Sequence, residues 1–290
     1  MAEQFAHHSS NKEEADIPEG KLFECRIIDQ EMVLPHIRRL VLDAPELSQK
    51  CVPGQFVHVL CNKFRQFYDP LLRRPFSIHF ADPEAGHVSI LFDIRGRGTK
   101  MLADKTIGDM IDLIGPLGHG FAIPDSWSGS FLLVGGGMGI APLYFLLRAL
   151  EKQFGKEKIK FLLGARTSNM ILYREEFEKC CAEYLVSTED GSYGYQGMVT
   201  DLLKERIETL DNKLGCLVYA CGPMQMLKEV AKICHHHNLN CQISVETKMA
   251  CGVGACMSCV IKVHDTNLEY RYARACVEGP VFDSNKIKWE

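Results

Sequence analysis

The chain has 290 residues, of which 46% are hydrophobic and 24% charged, with a formal net charge of −4 and a pI of about 6.3. This is the composition of a folded globular protein, and it is not basic enough to predict binding to nucleic acid or to an anionic membrane surface. No apolar run approaches the roughly 20 residues that a membrane-spanning helix needs. The length allows two domains and a small additional module.

The N-terminal residues 1–20 are polar and lack the apolar core of a secretory signal peptide. We expect them to form a disordered tail. Without an export signal, the thirteen cysteines of the chain are expected to stay reduced, which favours a cytoplasmic location. Nine of them are scattered along the chain and are expected to pack as small buried hydrophobic residues: Cys25, Cys51, Cys61, Cys180, Cys181, Cys216, Cys221, Cys234 and Cys241.

Residues 21–125 are predicted to form an antiparallel β-barrel or sandwich. Short runs of β-forming residues follow one another, separated by turn signals such as Val52-Pro53-Gly54, with no helical periodicity between them. The predicted strands cover residues 22–28, 37–42, 55–60, 76–80 and 87–94. The glycine-rich segment 114–121 is interpreted as a loop.

Two segments of this domain carry groups that suit a phosphorylated cofactor. In Arg74-Pro75-Phe76-Ser77, an arginine enters a predicted strand and a hydroxyl follows, so one extended stretch can contact a phosphate and a polar ring edge. In Gly96-Arg97-Gly98-Thr99, glycines and a threonine precede a short helical pattern, whose backbone N–H groups can hold an anion. Each segment alone also fits an ordinary role, as a surface arginine or a capped turn.

From residue 126 to residue 240 the pattern changes to strands alternating with helices, which predicts a doubly wound parallel α/β sheet. The predicted strands cover residues 131–134, 160–163, 184–187 and 216–220, and the helices after them begin near residues 140, 173, 198 and 223. A fifth strand is expected at residues 241–245. Ligands of such sheets bind at the carboxyl ends of the strands.

Two strand ends in this domain indicate a nucleotide site. Gly135-Gly136-Gly137-Met138-Gly139 follows an apolar strand and leads into Ile140-Ala141-Pro142, where proline suits the first turn of a helix. Cys221-Gly222-Pro223 also joins a strand to a helix. Either alone fits a tight turn, but both in one sheet favour a dinucleotide with its phosphates at a helix N-terminus.

Four cysteines near the C-terminus are spaced as the ligands of a 2Fe-2S cluster. Cys251, Cys256 and Cys259 follow the pattern C-x4-C-x2-C, and Cys276 comes after sixteen intervening residues. This is the plant-type spacing for four thiolate ligands, and the glycines at 252 and 254 let the loop curl. Zinc is the alternative metal, although structural zinc sites usually combine two closely spaced pairs. Residues 241–290 are therefore predicted to form a 2Fe-2S cluster module.

Together these motifs resemble a known family. Residues 74–77, 96–99, 135–142 and 221–223 resemble the motifs of the ferredoxin–NAD(P) reductase superfamily. The cysteine loop, with residues 246–250 before it and 275–282 around the last cysteine, is similar to that of the electron-transfer subunits of class 1B dihydroorotate dehydrogenases. The resemblance extends over about residues 21–287.

The resemblance implies an oxidoreductase subunit with three cofactors. FAD would lie in the barrel domain, with Arg74 on its pyrophosphate, Ser77 at the flavin ring, and Gly98 and Thr99 on the phosphates. NAD(H) would lie over the glycine-rich turn, with Cys221 near the nicotinamide as the candidate catalytic residue. Electrons would pass between NAD(H), FAD, the cluster and the FMN of a dihydroorotate dehydrogenase catalytic subunit, in pyrimidine biosynthesis. The resemblance also implies a heterotetramer with two copies of each subunit.

Some features leave alternatives open. Phe76 stands where many superfamily members have tyrosine, so a phenol hydrogen bond is missing. Arg166 follows the second strand of the α/β domain and could meet a 2′-phosphate, so NADPH stays open beside NADH. Subunits of glutamate synthase-like and transhydrogenase-type enzymes are an alternative, although several of them have aspartate where this chain has Cys251. A redox sensor without turnover is a further alternative.

Overall fold

The computed structural model describes residues 20–62, 69–210 and 215–289. The segment interpreted as a disordered tail lies outside these ranges except for its last residue. The described chain contains a closed six-stranded barrel, a seven-stranded sheet and a two-stranded hairpin. In the described residues, every helix is too short or too polar to cross a bilayer.

The barrel is formed by the first six strands, with two short helices between them. Their bounds are β1 Lys21–Leu34, β2 Ile37–Asp43, α1 Pro45–Ser48, β3 Phe56–Leu60, β4 Arg74–Asp82, β5 His87–Asp93, α2 Arg97–Ala103 and β6 Met110–Leu117. All pairings are antiparallel, and the strand order is β1-β2-β5-β4-β3-β6. Side chains that alternate along the strands fill the interior, and Ile27, Leu40 and Ile78 are fully buried there. Of the two predicted architectures, the structure forms the barrel.

Strand β6 corrects the interpretation of residues 114–121 as a loop. Residues 110–117 lie between β1 and β3 and pair with both. The local sequence Ile114-Gly115-Pro116 disfavours a strand. Pairing on both sides nevertheless closes the barrel and leaves no open strand edge. The loop prediction is therefore wrong for residues 114–117.

The second layer is the α/β sheet, as predicted. Its elements are β7 Ser130–Gly136, α3 Ile140–Phe154, β8 Ile159–Ala165, α4 Arg174–Cys180, β9 Glu183–Thr188, β10 Tyr195–Gln196, α5 Val199–Glu208, β11 Cys216–Cys221, α6 Met224–His236, β12 Asn240–Ser244 and the late strand β15 Val281–Asp283. The order is β10-β9-β8-β7-β11-β12-β15, parallel except for β15. The chain order reverses between β7 and β11, which opens a crevice at their carboxyl ends.

Helix α3 shows why this layer forms. Leu143, Leu146, Leu147 and Leu150 recur at helical spacing, and all four are fully buried against the sheet. Burial of a leucine side chain contributes about 1.5–3 kcal/mol. The same helix packs on barrel strand β4, so the apolar stripe also holds the two layers together.

The C-terminal segment forms a hairpin and then returns to the sheet. Strands β13 (Val260–Val263) and β14 (Arg271–Arg274) pair antiparallel, and β15 then adds to the edge of β12. All thirteen cysteines lie in described residues and none forms a disulfide, as expected. Eight of the nine scattered cysteines are buried, and Cys51 is half-buried.

Candidate functional site

A cavity of about 660 Å³ lies between the barrel and the carboxyl ends of β7 and β11. It brings together most of the predicted cofactor-binding residues from both domains. The barrel contributes Arg74, Pro75, Phe76, Ser77, Gly96, Gly98 and Thr99, and the sheet contributes Gly136, Gly137, Gly139, Ala141, Cys221, Gly222 and Pro223.

Two of the predicted residues, Gly135 and Pro142, are not among those that line the cavity. Gly135 lies within β7, where an added Cβ would stand 3.3 Å from Leu143 and Phe161. Pro142 is buried in the first turn of α3. Their positions indicate that they shape the turn from within the fold.

On the barrel side, Arg74 lies beside the Gly98 turn. A Cβ added at Gly98 would stand 3.6 Å from the Arg74 Nε, so the arginine side chain packs over this glycine. The Arg74 Nη1 donates to the carbonyl oxygens of Leu72, at 2.6 Å, and Arg73, at 3.2 Å. These bonds hold a cation at the cavity wall, where it can meet an anionic group.

The Thr99 hydroxyl organises the neighbouring turn. Its Oγ1 accepts hydrogen bonds from the backbone N–H groups of Arg95, at 3.0 Å, and Gly96, at 3.1 Å. These contacts form the N-terminal cap of α2. In the described structure, the hydroxyl therefore fixes the shape of the turn on which Gly98 sits.

On the sheet side, the two strand-end turns touch backbone to backbone. A Cβ added at Gly139 would stand 2.0 Å from the Cys221 carbonyl oxygen, so only glycine fits there. Gly137 has a φ of +54° and faces open space. This left-handed conformation favours glycine and presents the backbone to the cavity.

Cys221 lies between these turns with 8% of its surface exposed. Burial raises the pKa of its thiol to about 12, and the Ser244 hydroxyl only partly opposes that effect. Cys221 is therefore a neutral thiol at physiological pH and is not a ready nucleophile. It can pack against a ring and keep water out of the cavity.

Residues at the end of β12 and directly after it also line the cavity, and the sequence analysis did not select them as cofactor-binding residues. They include Ser244, Glu246, Thr247 and Met249. The Thr247 hydroxyl oxygen is buried and has no hydrogen-bond partner among the described residues. The signal that could have found these residues is their place at the carboxyl end of a parallel strand.

The hairpin brings the last cysteine to the cysteine loop. Val260 pairs with Arg274, so Cys259 and Cys276 lie at the same end of the β13–β14 ladder. The Cys276 backbone N–H donates to the Cys259 sulfur at 3.5 Å, and the Cys256 N–H donates to the Cys251 sulfur at 3.3 Å. The four thiols are thus arranged as two pairs.

These two pairs fit a two-iron cluster. Gly252 and Gly254 have φ values of +70° and +81°, which curl the loop around the thiols. Within residues 20–62, 69–210 and 215–289, no three Cys, His, Asp or Glu side chains converge on one point, so the ligand spacing and the two N–H···S contacts carry the assignment. Two pairs of soft thiolate ligands are the donor set of a 2Fe-2S cluster.

The thiols differ in acidity. Hydrogen bonds from Ser258 lower the pKa of the Cys256 thiol to about 6. Burial and the neighbouring Cys259 raise the pKa of the Cys276 thiol to about 12. Metal binding requires thiolates, so binding at the buried end of the site releases a proton.

Comparison with known protein families gives two matches. The family described as the iron-sulfur cluster binding domain of dihydroorotate dehydrogenase B matches residues 246–288. The oxidoreductase NAD-binding domain matches residues 133–232.

Two curated relatives match over nearly the whole chain, and both are named dihydroorotate dehydrogenase B (NAD(+)), electron transfer subunit. The protein from Desulforamulus reducens is 38% identical over 272 residues, which cover 93% of this chain and 100% of that protein. The protein from Bacillus caldolyticus is 38% identical over 262 residues, which cover 90% and 96%.

Two solved structures are similar to this chain in fold. A chain of the NADH-dependent reduced ferredoxin-NADP oxidoreductase, studied for flavin-based electron bifurcation, superposes with a TM-score of 0.78 and 29% identity. That match covers 91% of this chain and 90% of the other. A ferredoxin NADP+ reductase from Neisseria gonorrhoeae, with bound FAD and NADP, shares the fold, with a TM-score of 0.62, 18% identity and coverage of 75% and 92%.

Proposed function

Because the chain belongs to the family of dihydroorotate dehydrogenase B electron transfer subunits, we propose that it carries electrons between NAD(H), FAD, a 2Fe-2S cluster and a catalytic partner subunit. One observation supports this function above the others. The predicted cofactor-binding segments of the barrel and of the sheet line one cavity. Residues 244–247 and Met249 line the same cavity, and this segment leads directly into the cysteine loop.

The barrel side of the cavity would hold FAD. Arg74 is placed to bind the pyrophosphate, Ser77 to hydrogen-bond the flavin ring, and the Gly98 turn to let a phosphate approach the backbone. Bound FAD supplies the exchange between a two-electron hydride donor and one-electron carriers. Phe76 packs its ring against Phe92, with 5.4 Å between centroids, and offers no hydroxyl to a ligand.

The sheet side of the cavity would hold the nicotinamide dinucleotide. Gly137 and Gly139 present backbone where the phosphates meet the start of α3. The neutral thiol of Cys221 would pack beside the nicotinamide and exclude water from the site. We assign NAD(H) because the curated relatives carry NAD(+) in their names.

Arg166 makes the choice of dinucleotide testable, because it lines the cavity and could bind a 2′-phosphate. We expect kcat/KM for reduction of the bound flavin to be higher with NADH than with NADPH. Arg166→Ala should lower the NADPH value more than the NADH value. A higher kcat/KM with NADPH would contradict the assignment of NAD(H).

The cysteine loop would hold the cluster, with Cys251, Cys256, Cys259 and Cys276 as its four ligands. Phe56 connects the two sites, because it lines the cavity and packs in the same apolar cluster as Cys259 and Cys276. The same apolar core therefore extends from the cavity wall to these two buried cysteines. A bound cluster supplies one-electron transfer towards the partner.

The partner would dock over the cysteine loop. Met257 and Val253 project from this loop with 58% and 38% of their surface exposed. Exposed apolar side chains around a redox centre suit a protein partner. We propose that the partner is an FMN-containing dihydroorotate dehydrogenase catalytic subunit, in a heterotetramer with two copies of each chain. The absence of disulfides among the thirteen cysteines agrees with a reducing compartment, the cytoplasm.

The test is an anaerobic preparation of the chain, alone and together with a catalytic subunit. We expect one FAD and two irons per chain, rapid reduction of the flavin by NADH, and dihydroorotate-dependent reduction of NAD+ only in the complex. Zinc in place of iron, or a complex that moves no electrons between dihydroorotate and NAD+, would contradict the proposed function.

A second candidate is a reductase subunit of another flavin and iron–sulfur complex. The observation that favours it is the 29% identity to the ferredoxin-NADP oxidoreductase chain over 91% of this chain. Electron delivery to ferredoxin but not to a dihydroorotate dehydrogenase catalytic subunit would favour this candidate. Rapid turnover with either acceptor would exclude a redox sensor without turnover.

A further inference from the structure

A buried histidine lies beneath the cysteine loop. His58, on β3, is 0% exposed; neither ring nitrogen makes a hydrogen bond of normal length and angle, and the backbone groups that face the ring are those of Cys251 and Arg73. An imidazole carries at least one N–H in any protonation state. A buried donor without a partner costs about 1–3 kcal/mol, so this position indicates a bonding role that is completed by a neighbouring group.

The neighbouring group is the start of the cysteine loop. A Cβ added at Gly252 would stand 2.5 Å from the His58 Nδ1 and 3.0 Å from its Cε1. The imidazole therefore lies directly against the Cys251–Gly252 peptide. Position 252 must be glycine for this contact as well as for its left-handed φ of +70°.

The barrel holds this histidine firmly in place. The Arg73 guanidinium lies 2.6 Å from the Asp112 carboxylate and also donates to the Asp112 carbonyl at 3.1 Å and the His58 carbonyl at 3.5 Å. Arg73 and Asp112 are largely buried, with side-chain exposures of 20% and 10%. The backbone of β3 at His58 is thereby fixed to β6.

His58 also stands between the cavity and the cysteine loop. Phe56, two residues earlier on β3, lines the cavity, and residues at this spacing share one face of a strand. On the neighbouring strand, His58 pairs with Pro75, which lines the cavity as well. The imidazole thus supports the side of the cysteine loop that faces the cavity.

We propose that His58 is a positioning residue for the iron–sulfur cluster. Its Nδ1–H donates a hydrogen bond to the Cys251 end of the loop and holds this first ligand on the side of the cavity. The inference rests on the proposed function, because the loop must carry a cluster. Groups that orient metal ligands in this way strengthen metal binding and tune the reduction potential.

The barrel offers a matched control in His79. It is also buried, at 2% exposure, and lies on the adjacent strand β4. Its Nδ1 lies 3.3 Å from the Ala141 carbonyl oxygen, and its ring stacks on Tyr144 with 4.6 Å between centroids. His79 therefore contacts α3 and not the cysteine loop.

The experiment compares H58L, H58N, H58Q and H79F with the wild type, each purified anaerobically as the full chain with FAD. The rate of iron loss to an iron(II) chelator and the midpoint potential of the cluster, from an EPR-monitored redox titration, are measured. H58L should lose iron roughly 10- to 100-fold faster and show a lower potential, because an orienting hydrogen bond is gone. H58N places an amide nitrogen where Nδ1 stands and should retain both properties, whereas H58Q reaches the Nε2 position and should not.

H79F should keep the iron-loss rate and the potential of the wild type, and all His58 variants should keep FAD. A rate and a potential for H58L that match the wild type would overturn the proposal, as would equal losses in H58L, H58N and H79F. If H58L does not fold, the H58N and H58Q pair decides, and identical behaviour of the two overturns the assignment to Nδ1. Wild-type protein that binds FAD but never holds iron would instead show that the proposed function fails, and this role for His58 with it.

Discussion

At the scale of single residues, burial decides what each functional group can do. The Arg74 guanidinium is held at the cavity wall because two backbone carbonyls accept hydrogen bonds from it. Cys221 is neutral because it is almost fully enclosed, which separates it from the cysteines that act through their thiolates. His79 lies where the barrel meets α3, and its ring stacks on both Tyr144 and Tyr173.

Replacement of Arg74 by alanine should weaken FAD binding. A charge-assisted hydrogen bond to a phosphate contributes about 1.5–3 kcal/mol, so the affinity should fall roughly 10- to 100-fold. Fluorescence titration of the apoprotein with FAD measures this change. Arg26→Ala removes an exposed arginine of β1 that is not among the cavity residues and should leave the affinity unchanged. Equal affinity for FAD in the two variants would show that Arg74 is an ordinary surface arginine and does not bind the FAD phosphates.

The stability of the protein should depend on pH through His79. Burial, with Arg39 nearby, lowers the pKa of His79 to about 4, whereas an unfolded histidine titrates near 6.5. Between these values the unfolded chain binds more protons than the folded chain does. The contribution of His79 to the free energy of unfolding is therefore complete above pH 6.5 and decreases as the pH drops. The loss from this group is about 2 kcal/mol at pH 5.

The variant His79→Phe removes this proton-linked loss. The difference in Tm between wild type and variant should therefore become smaller, or reverse in favour of the variant, from pH 7 to pH 5. His235→Gln, at the exposed end of α6, serves as the control and should lose Tm in parallel with the wild type. If the Tm of the His79 variant fell as much as that of the wild type from pH 7 to pH 5, protonation of His79 would not account for the pH dependence.

At the scale of elements, the two strand-to-helix turns work as one unit. Gly139, in the turn after β7, and Cys221, at the end of β11, touch through their backbones. The site for the dinucleotide phosphates is therefore a property of the crevice between two strands, where doubly wound sheets bind their ligands.

Gly139→Ala should disrupt this unit. The new Cβ would stand 2.0 Å from the Cys221 carbonyl oxygen, so the turns must separate. We expect KM for NADH to rise or kcat to fall by roughly 10- to 100-fold, because misplacement by an ångström costs about this much. Gly155→Ala is the control: its backbone (φ +81°, ψ 149°) favours glycine but it has no close neighbour, so it should cost about 1–3 kcal/mol of stability and leave NADH binding unchanged. Stopped-flow reduction of FAD by NADH and Tm values separate the two effects.

At the scale of the whole molecule, the cysteine module is attached to both larger layers. Strand β15 joins the edge of the sheet, and the His119 backbone N–H donates to the Gly279 carbonyl oxygen at 2.6 Å on the barrel side. The His119 Nδ1 lies 2.5 Å from the Val277 carbonyl oxygen, next to the last cysteine. The cluster loop is therefore held in one position relative to the cavity.

Cys256→Ser should separate the two redox sites. Serine is a harder and much less acidic ligand, so the cluster should be lost or become labile, while FAD and NADH still bind in the cavity. NADH should reduce the flavin at the wild-type rate, and electron transfer to a partner subunit should fall to background. Co-purification with the partner checks that the complex still assembles.

The control for this variant is Cys51→Ser. The Cys51 thiol is half-buried and donates to the Leu47 carbonyl oxygen, a bond that serine preserves. This variant should keep its cluster and its electron transfer. A Cys256 variant that lacks the cluster, binds the partner and still delivers electrons at the normal rate would exclude the proposed path.

The sequence by itself determined the features that depend on neighbouring residues. The helical spacing of the leucines in α3, the glycine turns after β7 and β11, and the cysteine spacing at residues 251–259 are all short-range patterns. The leucine spacing follows from the period of a helix, the glycine turns follow from the positive φ that glycine allows, and the cysteine spacing follows from the distance over which one loop can supply ligands to a cluster. These patterns were sufficient to predict the α/β sheet, the two turns on the sheet side of the cavity and the cysteine module.

Only the tertiary structure decided the features that depend on distant residues. Strand β6 forms despite Gly115 and Pro116 because β1 and β3 pair with it, and β15 crosses from the cysteine module into the sheet. Glu246 and Thr247 reach the cavity, and His58 reaches Gly252, only because the layers pack together. Such contacts join positions far apart in the chain, and no local periodicity records them, because packing selects them after the elements have formed.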